Sequence, residues 1–233
     1  MLFKNATPRR THVTFDGTTF WAIDLSFLPI QIETADLVLF KLIKDPNLPE
    51  TTLYSSTNER FKTGTLIGWG YGRETNQADQ TNSTRTWNWG DGTTIAKRWG
   101  FNRVEFTGDG NIGGNTYDYL LTRLDSNQGN NEVSFAYYDS GSGLFISNSG
   151  SWELAGITTA VTTSYSSKFA PSSNSPDFNY YVRVSQYRQT IVNNIPDTST
   201  YAGWAVDNSL HGTDAETTAD PDGDSLNNQT EFN

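Results

Sequence analysis

In five stretches of the first 188 residues apolar side chains alternate with polar ones or run as short apolar blocks, and this period of two most limits the fold. The stretches are Val13-Thr14-Phe15, Thr19-Phe20-Trp21-Ala22-Ile23, Leu37-Val38-Leu39-Phe40, Thr65-Leu66-Ile67 and Tyr180-Tyr181-Val182-Arg183-Val184. A strand turns successive side chains to opposite faces, whereas a helix repeats every 3.6 residues. Turn signals such as Asp16-Gly17, Gly90-Asp91-Gly92 and Gly108-Asp109-Gly110 punctuate the runs. The expectation is all-β: antiparallel strands in a barrel or sandwich. One helix is expected over Ser185 to Asn194, with Ser185 as its N-cap and Tyr187, Ile191 and Val192 on one face. Glu74 to Arg85 and Thr162 to Asp177 are rich in Ser, Thr and Asn and read as surface loops.

Composition narrows the function classes. The 233 residues carry a formal charge of −10, which argues against a nucleic-acid binder, because phosphate backbones are met with an excess of Lys and Arg. Hydrophobic residues at 35% and aromatics at 13% are too many for a disordered chain. No apolar run reaches about 18 residues, so no membrane span is expected. Met1 to Arg10 has no apolar stretch and does not read as a secretory signal. Cysteine is absent, which removes a disulfide framework, a thiolate zinc site and a cysteine nucleophile together.

The charge is unevenly spread. After Arg188 no basic residue follows, and eight of the ten net negative charges fall in the last 45 residues. This shift predicts a body over residues 1–195, a polar linker over 196–201 and an acidic tail over 202–233.

The stretch that carries chemistry is Tyr138-Asp139-Ser140-Gly141-Ser142-Gly143-Leu144-Phe145, followed by Trp152-Glu153-Leu154-Ala155-Gly156-Ile157. A Ser between Asp and Gly, leading into an apolar strand, exposes its hydroxyl on a tight turn whose backbone N–H groups converge, as an oxyanion hole requires. The same pattern also suits an ordinary hairpin loop.

Asp139-Ser140-Gly141 resembles the nucleophile loop of trypsin-like serine proteases, Gly-Asp-Ser-Gly-Gly-Pro in that family. Ala35-Asp36-Leu37-Val38-Leu39-Phe40-Lys41-Leu42 resembles the family strand that carries the triad Asp, and Gly68-Trp69-Gly70 its Gly-Trp-Gly turn. Leu154 to Ile157 matches the strand after the nucleophile, and Tyr181 to Tyr187 running into Ile191 resembles the closing strand and terminal helix. The resemblance implies a double antiparallel β-barrel whose first barrel is incomplete, closed by the C-terminal helix. It further implies a Ser-His-Asp mechanism on a protein or peptide substrate.

By that resemblance Ser140 is the nucleophile, which needs a base to take its proton. Asp36 is the carboxylate that orients a histidine and stabilises its imidazolium. The backbone N–H groups of Ser140 and Tyr138 form the oxyanion hole, with Tyr138 standing where the family has Gly, a conformationally freer residue. Ser134 becomes the neutral floor of the substrate pocket, and Thr159, Ala160 and Val161 its wall, which implies small or apolar guests. The base is the gap in this set. His12 runs straight into a strand and is a weak candidate, and His211 lies in the acidic tail. The expectation is that the catalytic His lies upstream of Met1 and that the chain as it stands is inactive.

The tail spaces its oxygen side chains at alternating positions: Asp220, Asp222 and Asp224, the Leu226 carbonyl, Asn228 and Glu231 occupy positions 1, 3, 5, 7, 9 and 12 of a Ca²⁺ loop. Ser225 stands at position 6, where Gly is usual. The chain ends two residues after Glu231, so the expected tail is truncated, without its following helix. It resembles the dockerin-type or thrombospondin-type calcium repeats of secreted bacterial proteins, which implies Ca²⁺ as the bound cofactor and an extracellular, bacterial setting. A monomer is expected. The competing expectation is a non-catalytic protease homologue, or a lectin-like β module that stacks sugars on Trp69, Trp87, Trp89 and Trp99.

Overall fold

In a computed structural model the described residues are 12–15, 18–74, 85–124, 131–162, 166–169, 177–197, 199–208, 210 and 212–233. Among them the chain is mostly β, with short helices towards the C-terminal end. The described residues pack as two compact units that do not follow chain order: those within 31–38 and 49–188 form one, and those within 12–30, 39–48 and 189–233 the other.

The first unit is built on one sheet. Its strands are β5 (Thr52–Leu53), β6 (Thr63–Gly68), β8 (Arg98–Ile112), β9 (Asn115–Arg123), β10 (Gly143–Asn148), β11 (Ser151–Val161) and β13 (Phe178–Arg183). They pair in the order β10-β6-β8-β9-β13-β11, and β10 also pairs with β11, so six antiparallel strands close into a ring. β5 adds outside the ring, parallel to β11. Closure removes every edge from these six strands. Their inward side chains, with Tyr54 and Phe135 from adjoining loops, make a core of Tyr54, Leu66, Val104, Leu120, Phe135, Leu144, Ile146, Ala155 and Tyr181.

Several sequence expectations change at this level. Gly108-Asp109-Gly110 is not a turn but lies inside β8; the hairpin turns at Gly113-Gly114, both with positive φ. A Cβ on Gly108 would lie 2.9 Å from the Tyr119 hydroxyl, so this glycine makes room for a ring across the ladder. The Thr162 to Asp177 loop contains β12 (Ser166–Phe169), which pairs with β7 (Arg85–Asn88). Its polar composition lacks the alternation that marks a half-buried strand. Helix α1 spans Val184–Asn193, and Ser185 sits inside it, its hydroxyl donating to Glu59 rather than capping. Tyr187 and Ile191 are buried and Val192 is exposed, because one turn separates the first two and Val192 is rotated to the next face. Glu59 is fully buried and accepts a bidentate pair from Arg183, at 3.1 and 2.7 Å.

The described part of the segment before β10 joins β8 through one parallel bridge, with the Phe101 N–H donating to Asn131 O and the Val133 N–H to Phe101 O, and side chains add to it. Buried Asn179 on β13 accepts from the Phe135 amide at 3.0 Å and the Ser134 hydroxyl at 2.8 Å, and donates to Thr122 Oγ1 at 3.2 Å. Asn102 on β8 donates to the Arg123 and Val133 carbonyls.

In the second unit the strands are brief. β1 (His12–Val13) pairs with β2 (Trp21–Ala22), and residues 41–43 continue beside β2 through Asp24 N–H to Lys41 O and Ile43 N–H to Ala22 O. Lys41 Nζ donates to the carbonyls of Val206 (2.6 Å) and Asp207, where its charge complements the C-terminus of α2 (Tyr201–Asp207). Thr200 caps the other end of α2, so the residues expected as a linker form a capping turn. Helix α3 (Asn228–Phe232) follows the acidic loop, and Phe232 packs on Tyr201 and Trp204 at 5.7 and 6.0 Å. No helix among the described residues is long and apolar enough to cross a membrane.

Replacing Asn179 with Ala leaves the Phe135 amide buried without an acceptor. The expected loss is about 1–3 kcal/mol of stability, read as a lower urea midpoint at unchanged slope; an unchanged midpoint would remove Asn179 from this role.

Candidate active site

Ser140 is exposed on a turn that backbone bonds clasp to β11. The Gly141 N–H donates to Thr158 O and the Thr158 N–H to Ser142 O, both at 2.9 Å, while the Ser142 N–H donates to Asp139 O at 3.0 Å. Gly141 holds φ at +86°, which a glycine takes without a steric penalty. Asp139 turns the opposite way and is buried. Its carboxylate accepts from the amide of Ala136 at 2.9 Å, and from those of Gly70 and Trp69. Gly68 and Gly70 are required here, since a Cβ on either would come within 2.3 or 2.5 Å of that carboxylate group. The Gly-Trp-Gly turn is therefore the floor on which the Ser140 turn stands.

Asp36 reaches the same place from a distant part of the sequence. It lies on the tight turn between β3 (Ile30–Gln31) and β4 (Val38–Leu39), held by Ile32 N–H to Leu37 O and Ala35 N–H to Ile32 O, each 3.0 Å. Gln31 Nε2 donates across the turn to the carbonyls of Ala35 and Leu37, and Thr34 Oγ1 donates to Thr116 O on β9 at 2.6 Å. Ile32, Ala35 and Leu37 are buried beneath it, whereas Asp36 itself is half-buried.

Asp36 and Ser140 line one cleft of about 230 Å³, together with Thr159 and Ala160 of β11 and Ile112, Gly113, Asn115 and Tyr117 of the β8–β9 hairpin. Two of the three expected wall residues thus join Ser140. Val161 is not among the lining residues, and Ser134 lines a separate cavity of about 90 Å³ with Asp139, Tyr71 and Arg98. The hairpin contribution escaped the sequence reading; Gly113-Gly114, between two alternating runs, was the signal that could have found it.

Electrostatics in the cleft centre on Tyr117. Its hydroxyl shares a hydrogen bond with Thr159 Oγ1, and burial, with Asp36 adding to it, pushes the phenol up to about 12. Tyr117 is therefore neutral at physiological pH. Tyr138 takes φ +72°, the left-handed conformation that favours glycine. The amides of Tyr138 and Ser140 donate to no acceptor among the described residues, which leaves both for a ligand oxygen. None of the cleft-lining residues is a histidine. His12 is exposed on β1 in the other unit, and His211 lies outside the described residues.

The carboxylates of the acidic tail also converge. One oxygen from each of Asp220, Asp222 and Asp224 lies within 4.8 Å of the others. Asp220 accepts from the amides of Gly223 and Ser225, and Asp224 from that of Leu226. Ser225 takes φ +77°, so the loop turns at position 6 without a glycine. Asn228 is fully buried, and its amide donates to the Asp214 and Glu216 carbonyls, while its Oδ1 has no partner among the described residues. Burial, then the charges of Asp222, Asp224 and Asp220, raises the Glu231 carboxyl above its ordinary value. Helix α3 begins within this loop and carries its positions 9 and 12, Asn228 and Glu231.

Compared with protein-family models and with curated proteins, the chain matches none.

Burial raises the Asp139 carboxyl above its ordinary value of 3.8, against the lowering effect of the three amides and Arg98. A raised folded value makes its contribution to stability full below 3.8 and progressively lost as pH rises through the folded value. The stability difference between the protein and Asp139→Asn should therefore shift towards the wild type as pH falls from about 6 to about 4. Denaturation curves giving a pH-independent difference would contradict this assignment.

Proposed function

We infer that this chain is a secreted serine endopeptidase of trypsin-like double-barrel fold, with Ser140 as nucleophile and Asp36 as the orienting carboxylate. The observation that carries the reading is their convergence on one cleft from segments far apart in the sequence. The closed six-stranded ring and the spare amides of Tyr138 and Ser140 support the same reading. In the proposed step the Ser140 hydroxyl oxygen attacks a peptide carbonyl, and a base takes the hydroxyl proton and returns it to the leaving amine. The two spare amides hold the oxyanion that forms. An uncharged cleft wall of Thr159 and Ala160 favours small or apolar side chains.

No imidazole lines the cleft among the described residues, so with these residues alone Ser140 keeps its proton at neutral pH and peptide turnover is slow. Free imidazole in solution should then accelerate labelling of Ser140 by a fluorophosphonate, with Ser140→Ala unlabelled and His12→Ala unchanged. Absence of Ser140 labelling at any imidazole concentration would refute a nucleophilic role and leave the non-catalytic homologue. Loss of labelling in His12→Ala would make His12 the base. The exposure of Trp69 and Trp99 favours a second reading, the sugar-stacking module.

The acidic loop is proposed to bind Ca²⁺ through Asp220, Asp222, Asp224, the Leu226 carbonyl, Asn228 and Glu231. An all-oxygen donor set suits a hard cation, and the unpartnered buried Oδ1 of Asn228 supports the fit. Such a loop also fits an extracellular, bacterial protein. Calorimetric titration of the whole chain with Ca²⁺ should give saturable heat that Asp224→Ala abolishes. Affinity should weaken in acid, because the cation competes with protons for carboxyls such as Glu231 whose affinity for protons is already raised. Heat unaffected by Asp224→Ala would reject the site.

A further inference from the structure

Beside the candidate nucleophile lies a surface that the cleft does not use. Tyr138, two residues before Ser140, packs edge-on against Tyr71, with centroids 5.0 Å apart and planes at 65°. Tyr137 lies 6.1 Å from each of them, tilted by 39° and 54°, and Trp89 stands 5.6 Å from Tyr137 at 84°. Tyr137 is 44% exposed and Tyr138 62%. Scattered exposed aromatics need no explanation, but four rings in contact, two of them open to solvent, mark a place where something docks.

The rings come from three segments that the backbone locks together. The Tyr71 N–H donates to Tyr137 O at 2.9 Å, the Gly90 N–H to Gly72 O at 2.9 Å, and the Glu74 N–H to Asn88 O at 3.0 Å. The Arg98 guanidinium donates to the carbonyls of Thr94, Ala96 and Gly70, which pins the loop after Trp89 to the loop that carries Tyr71. Asp139 ties the third segment to the amides of Trp69 and Gly70. A ligand therefore meets a preformed surface and orders little of the protein on binding. Tyr138 holds its exposed ring from a strained left-handed backbone, as residues at functional positions do.

We propose that Tyr71, Trp89, Tyr137 and Tyr138 form a shelf that binds an aromatic side chain of an extended peptide whose scissile bond lies at Ser140. This deepens the peptidase reading and rests on it. Only Asp139 separates Tyr138 from Ser140, so a chain leaving the cleft past the nucleophile reaches the rings within a residue or two, at a rise of about 3.3 Å per residue. Three of the contacts are tilted by 54° to 84°, so a phenyl group set among the ring edges extends the edge-to-face packing already present.

The test uses the whole chain carrying Ser140→Ala, so that turnover does not intrude, titrated with three probes: capped Ala-Phe-Ala bearing a fluorine on the ring, capped Ala-Ala-Ala and cellotriose. Heats and the fluorine NMR shift report binding. The Phe peptide should bind about 3- to 10-fold more tightly than the Ala peptide. Tyr138→Phe should retain that preference and Tyr138→Ala should erase it. Tyr137→Ala serves as a second variant should Tyr138→Ala alter the turn, with circular dichroism checking both folds. Equal affinity for the two peptides, or a preference that survives both Ala variants, overturns the shelf. Cellotriose binding that is lost with Tyr138→Ala also overturns it, in favour of carbohydrate. Fluorophosphonate labelling of Ser140 without a Phe preference sinks the shelf alone. A Phe preference without labelling keeps the shelf and sinks the scissile bond at Ser140.

Discussion

The buried side chain of Asn179 is the fixed point of the first unit. Six strands joined in a ring satisfy one another's backbone groups, but the described residues before β10, from 131 onward, add only one bridge to that ladder, Glu132 with Phe101, and must find further partners elsewhere. Asn179 supplies them, taking the Phe135 amide and the Ser134 hydroxyl while its own amide rests on Thr122. Phe135 then drops its ring onto Tyr181 in the core, at 5.1 Å and 64°. Polar and apolar anchoring thus act on one residue at the start of the stretch that leads to Ser140, and the Tyr71, Asp139 and Thr158 bonds hold the rest of it.

The Ser140 turn adds a second constraint of opposite character. Burying the Asp139 carboxylate costs desolvation, which three backbone amides offset only in part. A carboxylate below and a serine hydroxyl above are consecutive residues, so fixing the first fixes the second. The glycines at 68 and 70 are needed because nothing larger than hydrogen leaves room for that carboxylate.

The second unit is held by end-group chemistry more than by a sheet. Its strands are two residues long, and its order comes from Lys41 on the terminal carbonyls of α2, from Thr200 and Asn227 as helix caps, and from the Tyr201, Trp204 and Phe232 rings. Such contacts organise a short acidic chain that lacks the apolar area for a large core.

The sequence by itself determined that the body is β, that the chain gathers negative charge at its C-terminal end and that the Asp139-Ser140-Gly141 turn is tight, because each rests on local pattern. Asp36 was singled out only through the resemblance of Ala35 to Leu42 to a protease strand. The sequence misjudged Gly108-Asp109-Gly110 and Ser185, since a glycine that admits a ring from across a ladder looks like a turn glycine, and a serine that bonds to Glu59 looks like a cap. Only the tertiary structure decided that Asp36, Tyr117, Thr159 and Ser140 share a cleft while Ser134 lines another cavity, and that the rings of residues 71, 89, 137 and 138 meet. Those groupings depend on ladder closure and on long-range bonds such as Thr34 to Thr116, whose partners no local period can specify.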